Sequence, residues 1–418
     1  MNNEDKICRP KGNKRAIFPH FARAIFVFLS MSLMSCWGQS PKPSKPELVK
    51  GPVVHTGSER MEVYLPLLQN KYVALVANQT SLIGKMHLVD TLRSKGIKII
   101  KVFSPEHGFR GQSDAGEHVA SGVDEKTGIP LVSLHGDHIK PTADQMKDVD
   151  VVLFDIQDVG VRFYTYITTM SYVMEAAAEK NIPMIILDRP NPNGHYIDGP
   201  VLEPSFSSFL GLHAVPLVHG MTVGEYAMMV NGEKWLKDGI SCDVKVIKCL
   251  GWKHSDFYRV KANTSPNLRN MNAIYLYPSL GLFEGTNVSM GRGTDKPFER
   301  IGYPGYKNGT YRFTPKSGPG SKHPLFEGKE CNGINLEGFG EKVIRDSKKI
   351  YLKWLIDFYN ASDNKEKFFT KGFDKHAGTD RLRKQIISGE SEENIRSSWK
   401  PDLEKYKTIR KKYLLYED

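Results

Sequence analysis

The densest group of chemically capable residues lies between Phe103 and Glu117, in FSPEHGFRGQSDAGE. After a break at Pro105, it presents Glu106, His107, Arg110, Asp114 and Glu117. A carboxyl beside an imidazole is suited to moving protons, and an arginine fork to holding an anion. A second group follows the apolar run at Leu280, in LGLFEGTNVSMGRGT. There Glu284 stands between Phe283 and Gly285, an apolar setting that can raise a carboxyl pKa and suit it to act as an acid. Arg292 sits among Gly285, Gly291 and Gly293, which allow a ligand to approach the backbone closely.

The elements needed to position these groups are legible as short apolar runs. Tyr72–Ala77, Ile97–Phe103, Pro130–Leu134, Val149–Ile156 and Pro183–Leu187 read as buried parallel strands, with Asp243–Ile247 a further strand. Helical spacing follows Gly84, with Met86, Val89 and Leu92 on one face, and recurs from Ile167 to Ala177. Thr142 could cap a short helix over residues 143–147, and Thr222 one running to Leu236. Alternation of strands and helices predicts an α/β fold with a parallel sheet. Polar clusters follow successive strands: NQTS with Asn78, PEHG, DVGVRFYTY with Asp158, Arg162 and Tyr164, and DRPNPNG with Asp188, Arg189 and Asn191. In such sheets these loops converge at the carboxyl edge, where ligands bind. Beyond residue 330 the pattern is mainly helical: a helix over 347–360, one capped by Ser391, and a kink or restart at Pro401.

At 418 residues the chain is too long for one ordinary core, and two domains are expected. The reading divides it into an export segment (1–35), a Pro-rich tether (36–58), a Rossmann-like domain (59–255) and a smaller α+β domain (256–418). The basic start and the apolar run Ala24–Met34 lead into Leu33-Met34-Ser35-Cys36, which resembles a lipobox with Cys36 as the lipidated residue. The only membrane contact expected is through that anchor. Of the net charge of +11, residues 1–35 carry +4. No nucleic-acid module accompanies the remaining basic excess. No GxGxxG or GxxxxGK[ST] turn follows a strand, so no dinucleotide or nucleotide cofactor is expected. His213 and His219 read as structural, no cysteine spacing suggests zinc, and no metal is assigned. Cys242, Cys249 and Cys331 could include a Cys242–Cys249 bridge or be three buried thiols. Nothing in the sequence fixes an oligomeric state.

In order, FSPEHGFRG, DIQDVGVRFYTYITTM, LDRPNPNG, HGMTVGEYA, SPN and FEGTNVSMGRGTDKPFE resemble the exo-β-N-acetylmuramidase family, glycoside hydrolase family 171. The resemblance runs from about Tyr72 to the C-terminus. It implies release of N-acetylmuramic acid from the non-reducing ends of peptidoglycan fragments. It also implies a Rossmann-like domain, a smaller second domain and a site between them. Glycoside hydrolysis usually takes two carboxyls. Glu106 is expected to lead and Glu284 to partner it, with Asp158 and Glu117 in reserve and the acid and base roles open. His107 and Tyr164 could orient the acid or stabilise charge developing at the sugar. The lactyl carboxylate of muramic acid would be read by Arg162 or Arg292. Asn78, Arg110, Glu117, Asp158, Asp188, Arg189, Asn191, Asn267 and Asn287 complete the expected substrate contacts. Two other readings are a non-catalytic muropeptide-binding lipoprotein and a metal-dependent hydrolase using His107, His135, Asp155 and Asp188.

Overall fold

The computed structural model describes residues 53–109 and 121–418. The expected export segment, Cys36 and most of the tether lie outside the described residues, as do Arg110, Asp114 and Glu117.

Seven strands form the central sheet: β1 (Tyr72–Ala77), β2 (Lys98–Ser104), β3 (Gly122–Val123), β4 (Pro130–Ser133), β5 (Val151–Asp155), β6 (Met184–Leu187) and β7 (Val244–Ile247). Their spatial order is β7-β6-β5-β1-β2-β4-β3, parallel throughout except for the short β3 edge, which runs antiparallel to β4. Taken without β3, the six parallel strands have the doubly wound order 3-2-1-4-5-6. The topological switch therefore falls between β1 and β5, where a ligand crevice is expected.

Burial on both faces explains why these strands read as continuous apolar runs. Ala74, Val76, Val152 and Phe154 enter the larger apolar core on one face. Val73, Leu75, Val151 and Leu153 enter the smaller core on the other. Alternation along each strand sends neighbours to opposite layers, and both layers are covered by helices and loops. Helix α1 (Leu88–Ser94) joins β1 to β2, and α2 (Tyr166–Glu179) joins β5 to β6. Thr222 caps α3 (Val223–Gly232) in a reciprocal box with Glu225.

The second half contributes α4 (Met271–Leu280), a three-stranded antiparallel sheet and a set of short helices. The larger core continues without a break from Ala74 to Tyr406, so both halves of the sequence share it. The last long helix, α6 (Glu392–Arg410), returns to the first half. There Tyr406 Oη donates to the His219 carbonyl at 2.6 Å, and Arg410 holds the Gly220 carbonyl.

Four local expectations differ. The helix that Thr222 caps, expected to run to Leu236, ends at Gly232. Residues 143–147 form only turns, although Thr142 and Gln145 do cap each other. The helix expected from Ser347 starts at Lys353. Pro401 lies within an uninterrupted α6, because Ile395, Trp399, Leu403 and Tyr406 hold one buried stripe on either side of it. Cys242, Cys249 and Cys331 are free, buried thiols.

Candidate active site

Beyond the carboxyl edge of the sheet lies a cavity lined by Glu106 and His107 from the loop after β2 and by residues 163–166 from the loop after β5. Ser265, Tyr277, Glu284, Arg292, Phe298 and His376 close it from the second half. A wider depression of about 940 Å³ lies elsewhere, around Tyr72, Pro130 and Asp150 at the strands' amino-terminal ends. It contains none of the site residues expected from the sequence.

Glu106 is presented by a tight turn in which Gly108 N–H donates to the Pro105 carbonyl at 3.0 Å. His107 takes φ 71°, a left-handed conformation uncommon for a residue with a side chain, and Gly108 continues it at φ 77°. The Thr165 hydroxyl donates to Glu106 Oε2 at 2.8 Å. Thr165 is the residue at which the chain turns into α2, so the helix start fixes the hydroxyl that holds the acid.

Glu284 is presented differently. It sits in a 3-10 turn, Gly281–Gly285, directly after α4. A side chain at Gly285 would lie 2.4 Å from the Phe373 Cα, so glycine lets the short helix α5 (Phe373–Ala377) pack directly onto this turn. Arg292 Nη2 donates to Glu284 Oε1 at 2.9 Å, and His376 Nε2 stands 3.8 Å from Oε2. Burial alone would raise this carboxyl. The Arg292 charge and the His376 contact override it and hold the carboxyl down to about 2. Glu284 is therefore an anion at neutral pH, contrary to the expectation of an acid with a raised pKa.

Arg292 also lies over the Phe298 ring, 5.1 Å from its centroid. Phe298 has φ 58°, a genuine backbone outlier for a bulky residue. His107 and Phe298, which both line the cavity, are thus held in left-handed backbone, as residues at functional sites often are.

The four expected catalytic residues, Glu106, Glu284, His107 and Tyr164, all line the cavity, as does Arg292. Tyr164 does not orient Glu106: its hydroxyl donates to the Thr264 carbonyl at 2.6 Å, and burial pushes its pKa well up.

The remaining described candidates are buried supports or sit outside the cavity. Arg162 is fully buried, and its two terminal nitrogens donate to the carbonyls of Pro200, Val215, His376 and Ala377. It does not line the cavity where a lactyl carboxylate would sit. Burial lowers it to about 10, still a cation at neutral pH. Asp158 accepts from Gly160 N–H at 2.7 Å and is pushed by burial up to about 7, underneath the tyrosines rather than in the cavity. Arg189 forks onto Asp155 at 2.6 and 2.9 Å. Asp188 accepts from Thr222, Gly224 and Tyr416, and burial raises it to about 6. Asn78 binds Thr80, Asn191 binds Met221 and Asn193, and Asn267 binds Gly320. Asn287 is exposed and tied to the Lys367 carbonyl. His107, His135, Asp155 and Asp188 are not gathered at one point. Among the described residues, no group of three or more His, Cys, Asp or Glu is arranged to hold a metal.

This arrangement coincides with a known family. The N-terminal model of exo-β-N-acetylmuramidase NamZ matches residues 73–272, and its C-terminal model matches 275–416. The chain belongs to the NamZ family. The peptidoglycan β-N-acetylmuramidase NamZ of Bacillus subtilis (strain 168) is 40% identical over 94% of this chain and 100% of that protein. Two crystal structures of DUF1343 family proteins from Bacteroides fragilis NCTC 9343 are similar throughout. One has a TM-score of 0.82 at 46% identity, covering 88% of this chain and 99% of that one. The other has 0.73 at 28%, covering 87% and 99%.

In this NamZ-family chain, sequence reasoning missed Thr165, Phe298 and His376. Thr165 lay inside a quoted motif but carries no signal of its own. His376 lies in KGFDKHAGTDRLRK, a basic helical stretch with nothing to separate it from solvated surface.

Proposed function

We propose that the protein is an exo-acting glycoside hydrolase that releases N-acetylmuramic acid from the non-reducing ends of peptidoglycan fragments. Family membership and the similarity to the Bacillus subtilis enzyme support the activity. The observation that carries the roles is the unequal setting of two carboxyls around one cavity. Glu284 is held ionised by Arg292, with His376 beside its other oxygen, and does not donate a proton at neutral pH. Glu106 is then the general acid that protonates the leaving glycosidic oxygen. Glu284 serves as the base, the nucleophile or the counter-charge to the oxocarbenium-like transition state. Of the two arginines expected to read the lactyl carboxylate, Arg292 is the one at the cavity, and it supports that role. The lipobox-like Leu33-Met34-Ser35-Cys36 and the proline-rich segment after it support export and anchoring through lipid at Cys36, at the cell envelope.

The test is hydrolysis of a chromogenic muramic acid β-glycoside by the wild type and by Glu106→Gln. General acid catalysis is worth roughly 10²–10⁴ in rate, so a loss of that size is expected with an unchanged melting temperature. A Glu106→Gln enzyme of near-normal rate removes Glu106 from the mechanism. A wild type that binds muropeptides but releases no sugar replaces the enzyme with a binding lipoprotein.

A further inference from the structure

The two oxygens of the Glu284 carboxylate face different residues. Arg292 Nη2 donates to Oε1 at 2.9 Å, and His376 Nε2 stands 3.8 Å from Oε2. The last torsion of a glutamate side chain is soft, so a single partner leaves the carboxylate plane free to swing. A ring packed beside the other oxygen narrows that swing.

The other nitrogen of His376 specifies the form of the ring. Nδ1 lies 3.1 Å from the Gly372 carbonyl, which only accepts hydrogen bonds, so Nδ1 carries a proton. Nε2 is the nitrogen left to face the Glu284 carboxylate.

The ring is also held from behind. α5 is anchored through its last carbonyls, where Arg162 Nη2 donates to His376 at 3.1 Å and to Ala377 at 2.7 Å. Gly378 ends the helix at φ 75°, and a side chain there would lie 2.4 Å from that nitrogen. On the other side, Thr370 N–H donates to the Gly285 carbonyl at 2.9 Å, joining the segment before α5 to the turn that carries Glu284.

We propose that His376 is a positioning residue for the reaction: carried on a helix anchored by buried Arg162, it limits the orientation of the Glu284 carboxylate towards the sugar. This rests on the reading above in which Glu284 acts in the chemistry. The charged and titratable groups around the ring are Glu284 and Arg292 beside it, and Glu106, Tyr164, Tyr166 and Tyr277 among the cavity walls. Arg162 lies behind it, and Asp374, paired with Arg383, shares its helix with Lys375.

The experiment compares His376→Leu, His376→Gln and Glu284→Gln with wild type on the chromogenic muramic acid glycoside. A misplaced reacting group costs roughly 10²-fold, so His376→Leu should lose about that in kcat with little change in KM. His376→Gln keeps a neutral donor near the Nε2 position and should recover most of the rate. Wild-type kcat in His376→Leu alongside an inactive Glu284→Gln overturns the inference and leaves the function standing. If His376→Leu does not fold, His376→Ala takes its place, and wild-type kcat there overturns the inference. An active Glu284→Gln overturns both this inference and the role given to Glu284.

Discussion

Replacing Glu284 with glutamine tests the electrostatics of the site without changing its shape. The carboxyl sits at about 2 in the folded protein against an ordinary 4.5. At about 1.4 kcal/mol for each tenfold change in the protonation equilibrium, that gap corresponds to about 3 kcal/mol. The side chain is 25% exposed, so screening trims the figure to about 2 kcal/mol. Because the folded pKa is depressed, this stability is fully present above 4.5 and is lost as pH falls through about 2. Glutamine does not titrate. The stability difference between wild type and Glu284→Gln should therefore be largest at pH 7 and fall to less than half of that by about pH 3. Urea denaturation is the appropriate assay, since guanidinium salt would screen the pair being measured. A difference that stays constant between pH 7 and pH 3, or grows as pH falls, refutes the claim that Arg292 and His376 hold Glu284 as an anion.

Arg162→Met should destabilise the protein by about 3 kcal/mol or more, since four carbonyls lose their charged donor in a buried site. Its folded fraction should keep the wild-type preference for muramic over glucosamine glycosides, and a lost preference at unchanged stability would return Arg162 to the ligand. Cys242, Cys249 and Cys331 are buried, and burial pushes Cys242 and Cys331 up to about 12 and Cys249 higher still. They should resist an aromatic disulfide reagent at pH 8 until the protein is unfolded, and rapid reaction of any of them in the native state would contradict the packing.

The parallel sheet was legible because its signal is local: strands buried on both faces must be apolar at every position, as Tyr72–Ala77 and Val151–Asp155 are. The catalytic loops were legible for a related reason, since polar residues immediately after such strands must gather at one edge. What the sequence could not separate was a loop residue facing the cavity from one facing the scaffold. Arg162 and Thr165 lie three positions apart in the same motif. One is fully buried against carbonyls from Pro200, Val215 and α5, and the other holds Glu106. The difference is made by the hairpin of Asp198–Val201 and Pro216–Val218 and by α5, all distant in sequence. Glu284 lines the cavity as expected, but its charge state was not legible, for the same reason. Its apolar neighbours Phe283 and Gly285 are local, whereas His376, which helps keep it ionised, comes from far down the chain.

The two carboxyls are supported from different parts of the chain. Glu106 accepts from the Thr165 hydroxyl at a helix start. Glu284 is paired with Arg292, whose charge stabilises the anion, with His376 beside its other oxygen. Glycoside hydrolysis usually takes two carboxyls at one sugar. Here the pair comes from joining a strand-end turn of one half to a glycine-rich turn of the other. Neither half contains both supports. The left-handed backbone at His107 and at Phe298 lies on the two sides of that junction. This distribution fits a core that continues through both halves: a hinge loose enough to separate them would carry Glu284, with Arg292 and His376, away from Glu106.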